Sequence, residues 1–242
     1  MRAIIISAGA GTRLLPLTRA LPKCLVPVDG RAILDHQLDA LAQAGVEAAT
    51  VVGGYRVEQL ASHLRRPTPL PTELVFNPFW SIASSIGSVW AARAHLGEPF
   101  VLLNGDTLFD PAILRHAVSG LKPGVSLLVE PVAAPELDDM LAKVADGRLL
   151  DVRKDLSPAD ATHRSLGVVL SAGGDAYRDA LADVIGADGG TQAFHHAVVA
   201  KLARSGVVHA VTPPPGLRWQ EIDRPQDIGA WTRGMPGTAA AL

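Results

Sequence analysis

Over its first hundred residues the chain alternates short apolar runs with longer amphipathic stretches, and this restricts it to one class of architecture. Residues 3–7, 48–53, 73–77 and 100–103 are rich in Val, Ile and Leu and read as strands buried on both faces. Between the first two, Ile33, Leu34, Leu38, Leu41 and Ala42 share one face of a helix, and residues 57–64 and 84–96 read as the next two helices. Strands that alternate with helices predict an α/β fold: a doubly wound, mostly parallel sheet with helices on both faces. Further strands are expected at 125–130, 149–152, 167–170 and 207–211, and further helices at 176–185, 192–205 and 224–232. Residues 66–72 and 212–216, each with three prolines, read as loops. No internal repeat or linker divides the chain, so residues 1–233 read as a single domain and 234–242 as a frayed tail.

Composition removes several classes of function. The 242 residues carry a net charge of −2 and no Lys/Arg block, which argues against nucleic acid as a partner. Cys24 is the only cysteine, so no internal disulfide framework exists, and a reducing compartment is expected. The apolar run at residues 3–6 is too short for a secretory signal, and no run approaches the roughly 20 residues of a membrane span. A cytoplasmic protein without a membrane partner is expected; nothing in the sequence specifies an oligomeric state.

The first strand leads directly into Ser7-Ala8-Gly9-Ala10-Gly11-Thr12-Arg13. Ligands of a parallel α/β sheet bind beyond the carboxyl ends of its strands, where this loop sits. Gly9 and Gly11 allow the backbone to approach phosphates closely and to turn successive N–H groups towards them. Two common phosphate motifs fail: Leu14 stands where the dinucleotide fingerprint needs a small residue, and the Gly-Lys-Ser/Thr of a P-loop is absent. The loop continues as Arg13-Leu14-Leu15-Pro16-Leu17-Thr18 and then Pro22-Lys23-Cys24-Leu25-Val26-Pro27.

With that continuation the chain resembles the sugar-nucleotidyltransferase superfamily, whose signature is Gly-x-Gly-x-Arg-Leu-x-Pro-Leu-Thr followed by Pro-Lys-x-Leu-x-Pro. The resemblance implies a Rossmann-like nucleotidyltransferase fold in which the loop, here Ala8, Gly9, Ala10, Gly11 and Thr12, holds a nucleoside triphosphate. It implies that Arg13 neutralises the leaving pyrophosphate and that Lys23 contacts the α-phosphate. Such roles suit the chemistry, because attack at the α-phosphorus spreads negative charge that fixed cations stabilise. Asn104-Gly105-Asp106 ends the strand at 100–103, and Glu221-Ile222-Asp223 precedes the last helix. Alone, either aspartate would serve equally well as a turn or cap residue. The resemblance makes Asp106 and Asp223 ligands of Mg²⁺, a hard cation that takes one or two carboxylates along with phosphate oxygens, and places Gly105 against the nucleotide. No general base is required, since a phosphate acceptor with a second pKa near 6 is largely dianionic at pH 7.

The segments Phe76-Asn77-Pro78-Phe79-Trp80 and Ser84-Ser85-Ile86-Gly87-Ser88 resemble the superfamily branch of cytidylyltransferases acting on phosphocholine, inositol phosphate and phosphonates. That implies CTP beside Tyr55, Asn77 and Ser85, and a small phosphorylated acceptor, an alcohol phosphate or phosphonate, bound by Lys154 and Glu221. Two departures stand out. Ser84-Ser85 replaces a common Asn-Asn, and Phe194-His195 stands where choline-type members carry an aromatic and then an acid. A sugar-1-phosphate uridylyl- or thymidylyltransferase and an inactive nucleotide-binding paralogue are the alternatives. His195 and His196, adjacent in sequence, diverge by about 100° on a helix and are not expected to chelate zinc together. Cys24, Trp80 and Trp90 read as packing residues.

Overall fold

The computed structural model describes residues 1–234, so the tail expected at 234–242 lies, from residue 235 onward, outside the described residues. The first part of the chain runs β1 (Arg2–Ser7), a short hairpin of β2 (Pro27–Val28) and β3 (Arg31–Ala32), α1 (Ile33–Gln43), β4 (Ala48–Gly53), α2 (Val57–Leu64), β5 (Thr72–Phe76), α3 (Ser85–Ala91) and β6 (Phe100–Asn104). It continues with β7 (Thr107–Phe109), α4 (Pro111–Ser119), β8 (Val125–Pro131), β9 (Leu141–Ala145), β10 (Arg148–Arg153) and β11 (His163–Ser171). The last elements are α5 (Ala176–Gly186), α6 (His196–Ala203), β12 (Val208–Val211), β13 (Trp219–Glu221) and α7 (Pro225–Thr232).

Nine strands form one sheet in the order β5-β4-β1-β6-β11-β8-β12-β10-β9. Strands β5, β4, β1 and β6 are mutually parallel, as the strand–helix alternation predicts. Beyond β6 the expectation of a mostly parallel sheet has to be corrected. Strand β11 pairs antiparallel with β6, β8 and β9, and β10 pairs antiparallel with β9 and β12. The sheet is therefore mixed. The physical reason is local: a parallel pair needs a long crossover, whereas β9 and β10 are joined by Asp146-Gly147 alone, both with positive φ (50° and 70°), the pairing that closes a tight hairpin.

The pleat sends alternate residues of the central strands to opposite faces. Ile4 and Ile6 of β1 and Phe100 and Leu102 of β6 pack with Ile86 and Val89 of α3, Leu181 of α5 and Val199 of α6. Ala3, Ile5, Val101 and Leu103 face the other way, onto Leu38 of α1, Leu60 of α2 and Ile113 of α4. Helices thus cover both faces, as expected.

Several elements differ from the sequence reading. The helix expected over 84–96 ends at Ala91 because Ala92 leaves helical geometry (φ −92°, ψ 9°), and a 3₁₀ turn follows at Arg93–His95. The one expected over 192–205 begins only at His196, after a 3₁₀ turn at Gly190–Gln192 and an extended Ala193. Helix α4, with Pro111 in its first turn and Ile113, Leu114 and Ala117 buried, is absent from the sequence reading.

Candidate active site

Three chain segments converge at the carboxyl end of β1 and β6. The first is the glycine loop. Gly11 adopts left-handed geometry (φ 61°), and its carbonyl accepts hydrogen bonds from the Leu14 N–H at 3.0 Å and from Thr18 Oγ1 at 2.8 Å. A Cβ on Gly11 would lie 2.9 Å from Lys23 Cβ, so the loop and the lysine are packed together. The second is the turn after β6. Gln37 of α1 is buried and donates from Nε2 to the carbonyls of Asn104 at 2.7 Å and Thr107 at 2.8 Å, which fixes the turn that presents Asp106. Gly105 is required there, since a Cβ would fall 1.8 Å from Ser7 Oγ. The third is the ribbon of β7 and β13, which pairs Glu221 with Thr107 and brings the Ile222 N–H within 2.9 Å of the Asp106 carbonyl. Asp227 then accepts the N–H groups of Asp223 at 2.8 Å and Arg224 at 2.6 Å, and so anchors the peptide that carries Asp223.

The result is a cluster of alternating charge. Lys23 Nζ donates to Asp106 Oδ2 at 2.7 Å and also to Asp223 Oδ1. Arg13 pairs with Asp223 at 2.8 Å and with Asp138 at 3.2 Å. Burial by itself would lower the Lys23 pKa, but Asp106 and Asp223 more than offset it, and the net shift is upward. The lysine stays cationic. Glu221 is pushed up to about 7, first by burial and then by Asp106 and Asp223. Burial pushes the Cys24 thiol up to about 12, so it is a packing residue and not a nucleophile.

Two carboxylates already converge on one cation here, and their hard oxygens are the donor set that magnesium prefers. Among the described residues no group of three or more His, Cys, Asp or Glu side chains could hold a metal unaided. The residues therefore fit a metal that arrives with phosphate and water making up its shell.

Two adjoining cavities meet at this cluster. One, of about 270 Å³, is walled by Gly9, Gly11, Thr12, Lys23 and Gly105. The other, of about 360 Å³, extends from Arg13, Asp106 and Asp223 to Ser85, Lys154 and His196. Of the residues singled out from the sequence, Ala8, Gly9, Gly11, Thr12, Arg13, Lys23, Ser85, Gly105, Asp106, Lys154, Glu221 and Asp223 line one cavity or both. Ala10 does not. Neither do Tyr55 and Asn77, and the reason is that their polar atoms serve the scaffold. The Tyr55 hydroxyl donates to the Thr18 carbonyl at 3.0 Å. Buried Asn77 accepts the Phe79 N–H at 3.0 Å and donates to Ser88 Oγ at 3.2 Å. Trp80, read as packing, lines the larger cavity with its ring edge-on to Tyr55 at 5.5 Å. Asp138, Asp139, Ser165 and His196 line it too and are not among the site residues read from the sequence, whereas Phe194 and His195, matched by resemblance to the aromatic–acid pair of choline-type members, also line it. Among the former, only the Asp138-Asp139 doublet carried a signal, and it lies in a segment with no readable period.

His195 and His196 are both buried, their ring centres 4.1 Å apart. Burial lowers His195 to about 4; burial, then His195 and Lys154, hold His196 well below the ordinary value. Both are neutral near pH 7. A folded-state pKa depressed below the unfolded value of about 6.5 gives stability that is complete above that pH and lost as pH falls towards 4. From His195 alone the loss amounts to about 3 kcal/mol. Denaturant midpoints measured from pH 7 to 4 should fall steeply in the wild type and less steeply in a folded His195→Gln variant. Equal slopes would remove His195 from that role.

Comparison with known proteins identifies the family. The model of the MobA-like NTP transferase domain matches residues 3–176. The chain belongs to this family. Among its relatives is the CMP-5′-(3-aminopropyl)phosphonate synthase of Streptomyces rubellomurinus, 30% identical over 239 residues, or 94% of this chain and 37% of that protein. The 2-aminoethylphosphonate cytidylyltransferase of Lancefieldella rimae is 34% identical over 127 residues, covering 50% of this chain and 51% of that one. The chain thus spans between about a third and a half of these relatives. The NTP transferase domain shares its fold with the inositol-1-phosphate CTP transferase from T. maritima, with a TM-score of 0.79 at 20% identity over 97% of both chains. Its α/β fold with a mixed sheet is that of the nucleotidyltransferases. No described helix is long and apolar enough to cross a membrane.

Proposed function

We propose that this NTP transferase domain moves CMP from CTP to a small phosphorylated alcohol or phosphonate and releases pyrophosphate, with residues 1–233 acting as one catalytic domain. The observation that carries the reading is Lys23 held between Asp106 and Asp223 at the mouth of the glycine loop. In this scheme the triphosphate lies along Gly9, Gly11, Thr12 and Gly105, and Arg13 meets the β- and γ-phosphates at the open end. The acceptor enters the larger cavity, where Lys154 and Glu221 face it. An acceptor oxygen attacks the α-phosphorus in line, the bond to the bridging oxygen of pyrophosphate breaks, and Arg13 stabilises the departing charge. Lys23 neutralises the α-phosphate oxygens as charge accumulates on them. Asp106 and Asp223 would hold a magnesium ion, which supplies further charge stabilisation to the phosphates.

Cytosine as the base, and a phosphate or phosphonate as the acceptor, are supported by the names of the relatives and by the fold shared with the inositol-1-phosphate CTP transferase. Each of the four nucleoside triphosphates should be paired with inositol phosphate, phosphocholine, phosphonates and sugar 1-phosphates, with pyrophosphate release as the readout. CTP with a phosphonate or an alcohol phosphate is the expected best pair. Preference for UTP or dTTP with a sugar 1-phosphate would favour the sugar-nucleotide alternative. Nucleotide binding without turnover on any pair would mark a regulatory paralogue.

A further inference from the structure

The larger cavity is lined by Asp106, Asp223 and Arg13, and also by His195, His196, Ser165 and Phe194. Most charges along its wall are already matched. Asp138 faces Arg13 at 3.2 Å and Lys154 at 3.5 Å, while Asp139 faces Arg164 at 3.2 Å and accepts the Glu136 N–H at 2.9 Å. The Lys154 ammonium also sits over the Phe194 ring, 5.2 Å from its centre. The histidines are different. Each is more than nine-tenths buried, and among the described residues each has one ring nitrogen with no partner, Nε2 of His195 and Nδ1 of His196. Such groups are costly to bury unless something binds them.

The other nitrogen of each ring lies beside a serine hydroxyl. Ser85 Oγ accepts the His195 backbone N–H at 2.9 Å and lies 3.3 Å from His195 Nδ1. Ser165 Oγ accepts the Gly167 N–H at 3.0 Å and lies 3.0 Å from His196 Nε2. The tautomer that gives each hydroxyl hydrogen an acceptor leaves the neighbouring ring nitrogen unprotonated and puts the proton on the other nitrogen. With that tautomer both unpartnered nitrogens are N–H donors, and both belong to uncharged rings.

We propose that His195 and His196 form the subsite for the far end of the acceptor, and that this end carries a hydrogen-bond-accepting oxygen such as a hydroxyl, not an ammonium. This rests on the activity proposed above and names its acceptor class. An ammonium group has only donors and a trimethylammonium has neither donors nor acceptors, so both leave the imidazole N–H groups unpaired. Lys154 adds repulsion against either cation, and the nearby carboxylates Asp138 and Asp139 are already occupied. A buried site built to hydrogen-bond a hydroxyl discriminates strongly against analogues that cannot make the bond.

The test compares 2-hydroxyethylphosphonate, 2-aminoethylphosphonate and phosphocholine as acceptors with CTP. The wild-type protein should show kcat/KM at least about tenfold higher for the hydroxylated phosphonate than for either cation. His195→Phe and His196→Phe should erase most of that preference by raising KM for the hydroxylated acceptor, and His196→Gln, which keeps a donor, should retain part of it. Calorimetric binding of the same three compounds in the presence of CMP reads the preference without turnover. A preference for the ammonium acceptors in the wild type, or an unchanged preference in folded phenylalanine variants, overturns the subsite. Intact preference in binding with no turnover supports the subsite and counts instead against the proposed transferase activity.

Discussion

Replacing Asp106 or Asp223 with asparagine lowers turnover at least about a hundredfold in a protein that still folds, equivalent to about 2.7 kcal/mol of lost transition-state stabilisation. The expectation follows from how the two side chains are held. Gln37 fixes the turn bearing Asp106, and Asp227 fixes the peptide bearing Asp223, so neither carboxylate is needed to hold its own backbone in place. Asparagine has nearly the same shape and keeps one oxygen, so the loss isolates charge from volume. Steady-state rates at saturating magnesium, with circular dichroism as the control for folding, are the measurement. A rate within threefold of the wild type in either folded variant would remove that residue from the metal-binding pair.

Lys23→Ala has an effect of similar size but a different signature. Removing a preorganised cation from charge that develops in the transition state costs about a hundredfold to a thousandfold in kcat. CTP affinity should change far less, because the contact strengthens as the α-phosphate gains charge. A second readout needs no turnover. In the free protein Lys23 occupies the space between Asp106 and Asp223, so its removal should leave two carboxylates with less counter-charge and a higher affinity for manganese, measured by electron paramagnetic resonance without nucleotide. Collapse of CTP affinity with kcat preserved would recast Lys23 as a ground-state anchor.

The charged cluster at the glycine loop is legible in the sequence because its parts are local. The glycine loop, Arg13 and Lys23 follow one another within a single stretch, and Asp106 lies just after a strand with a clear apolar pattern. The remainder of the larger cavity is less legible because it is assembled from distant segments. Ser165 is on β11, His195 immediately precedes α6, and Asp138 lies on the irregular chain before β9. Adjacent histidines on a helix do diverge, but His195 sits at the entry to α6 with Ser85 against its backbone, and both rings reach the same cavity. Tyr55 and Asn77, which resemblance places beside the nucleotide, line neither cavity, and their polar atoms bond Thr18, Phe79 and Ser88. In the fold, the parallel half follows from strand–helix alternation. In the antiparallel half, the β9–β10 pair depended on reading Asp146-Gly147 as a hairpin turn, a two-residue signal beside a strand, β9, whose alternation is weak.

Strand β11 has a mechanical consequence. Its later residues pair with β6, which leads into the turn bearing Asp106, and its first residues pair with β9 and β8. One strand, bent at Gly167 (φ 72°) where its register against β8 shifts, therefore ties the parallel half of the sheet to the antiparallel half, and Ser165 and Gly167 at that bend line the larger cavity. The irregular segment between β8 and β9 brings Asp138 and Asp139 to the same cavity, held by backbone hydrogen bonds at Val132 and Met140 and by ion pairs to Arg13, Lys154 and Arg164. That segment belongs to no strand of the sheet, so a change in this part of the cavity wall need not disturb the sheet's hydrogen bonding.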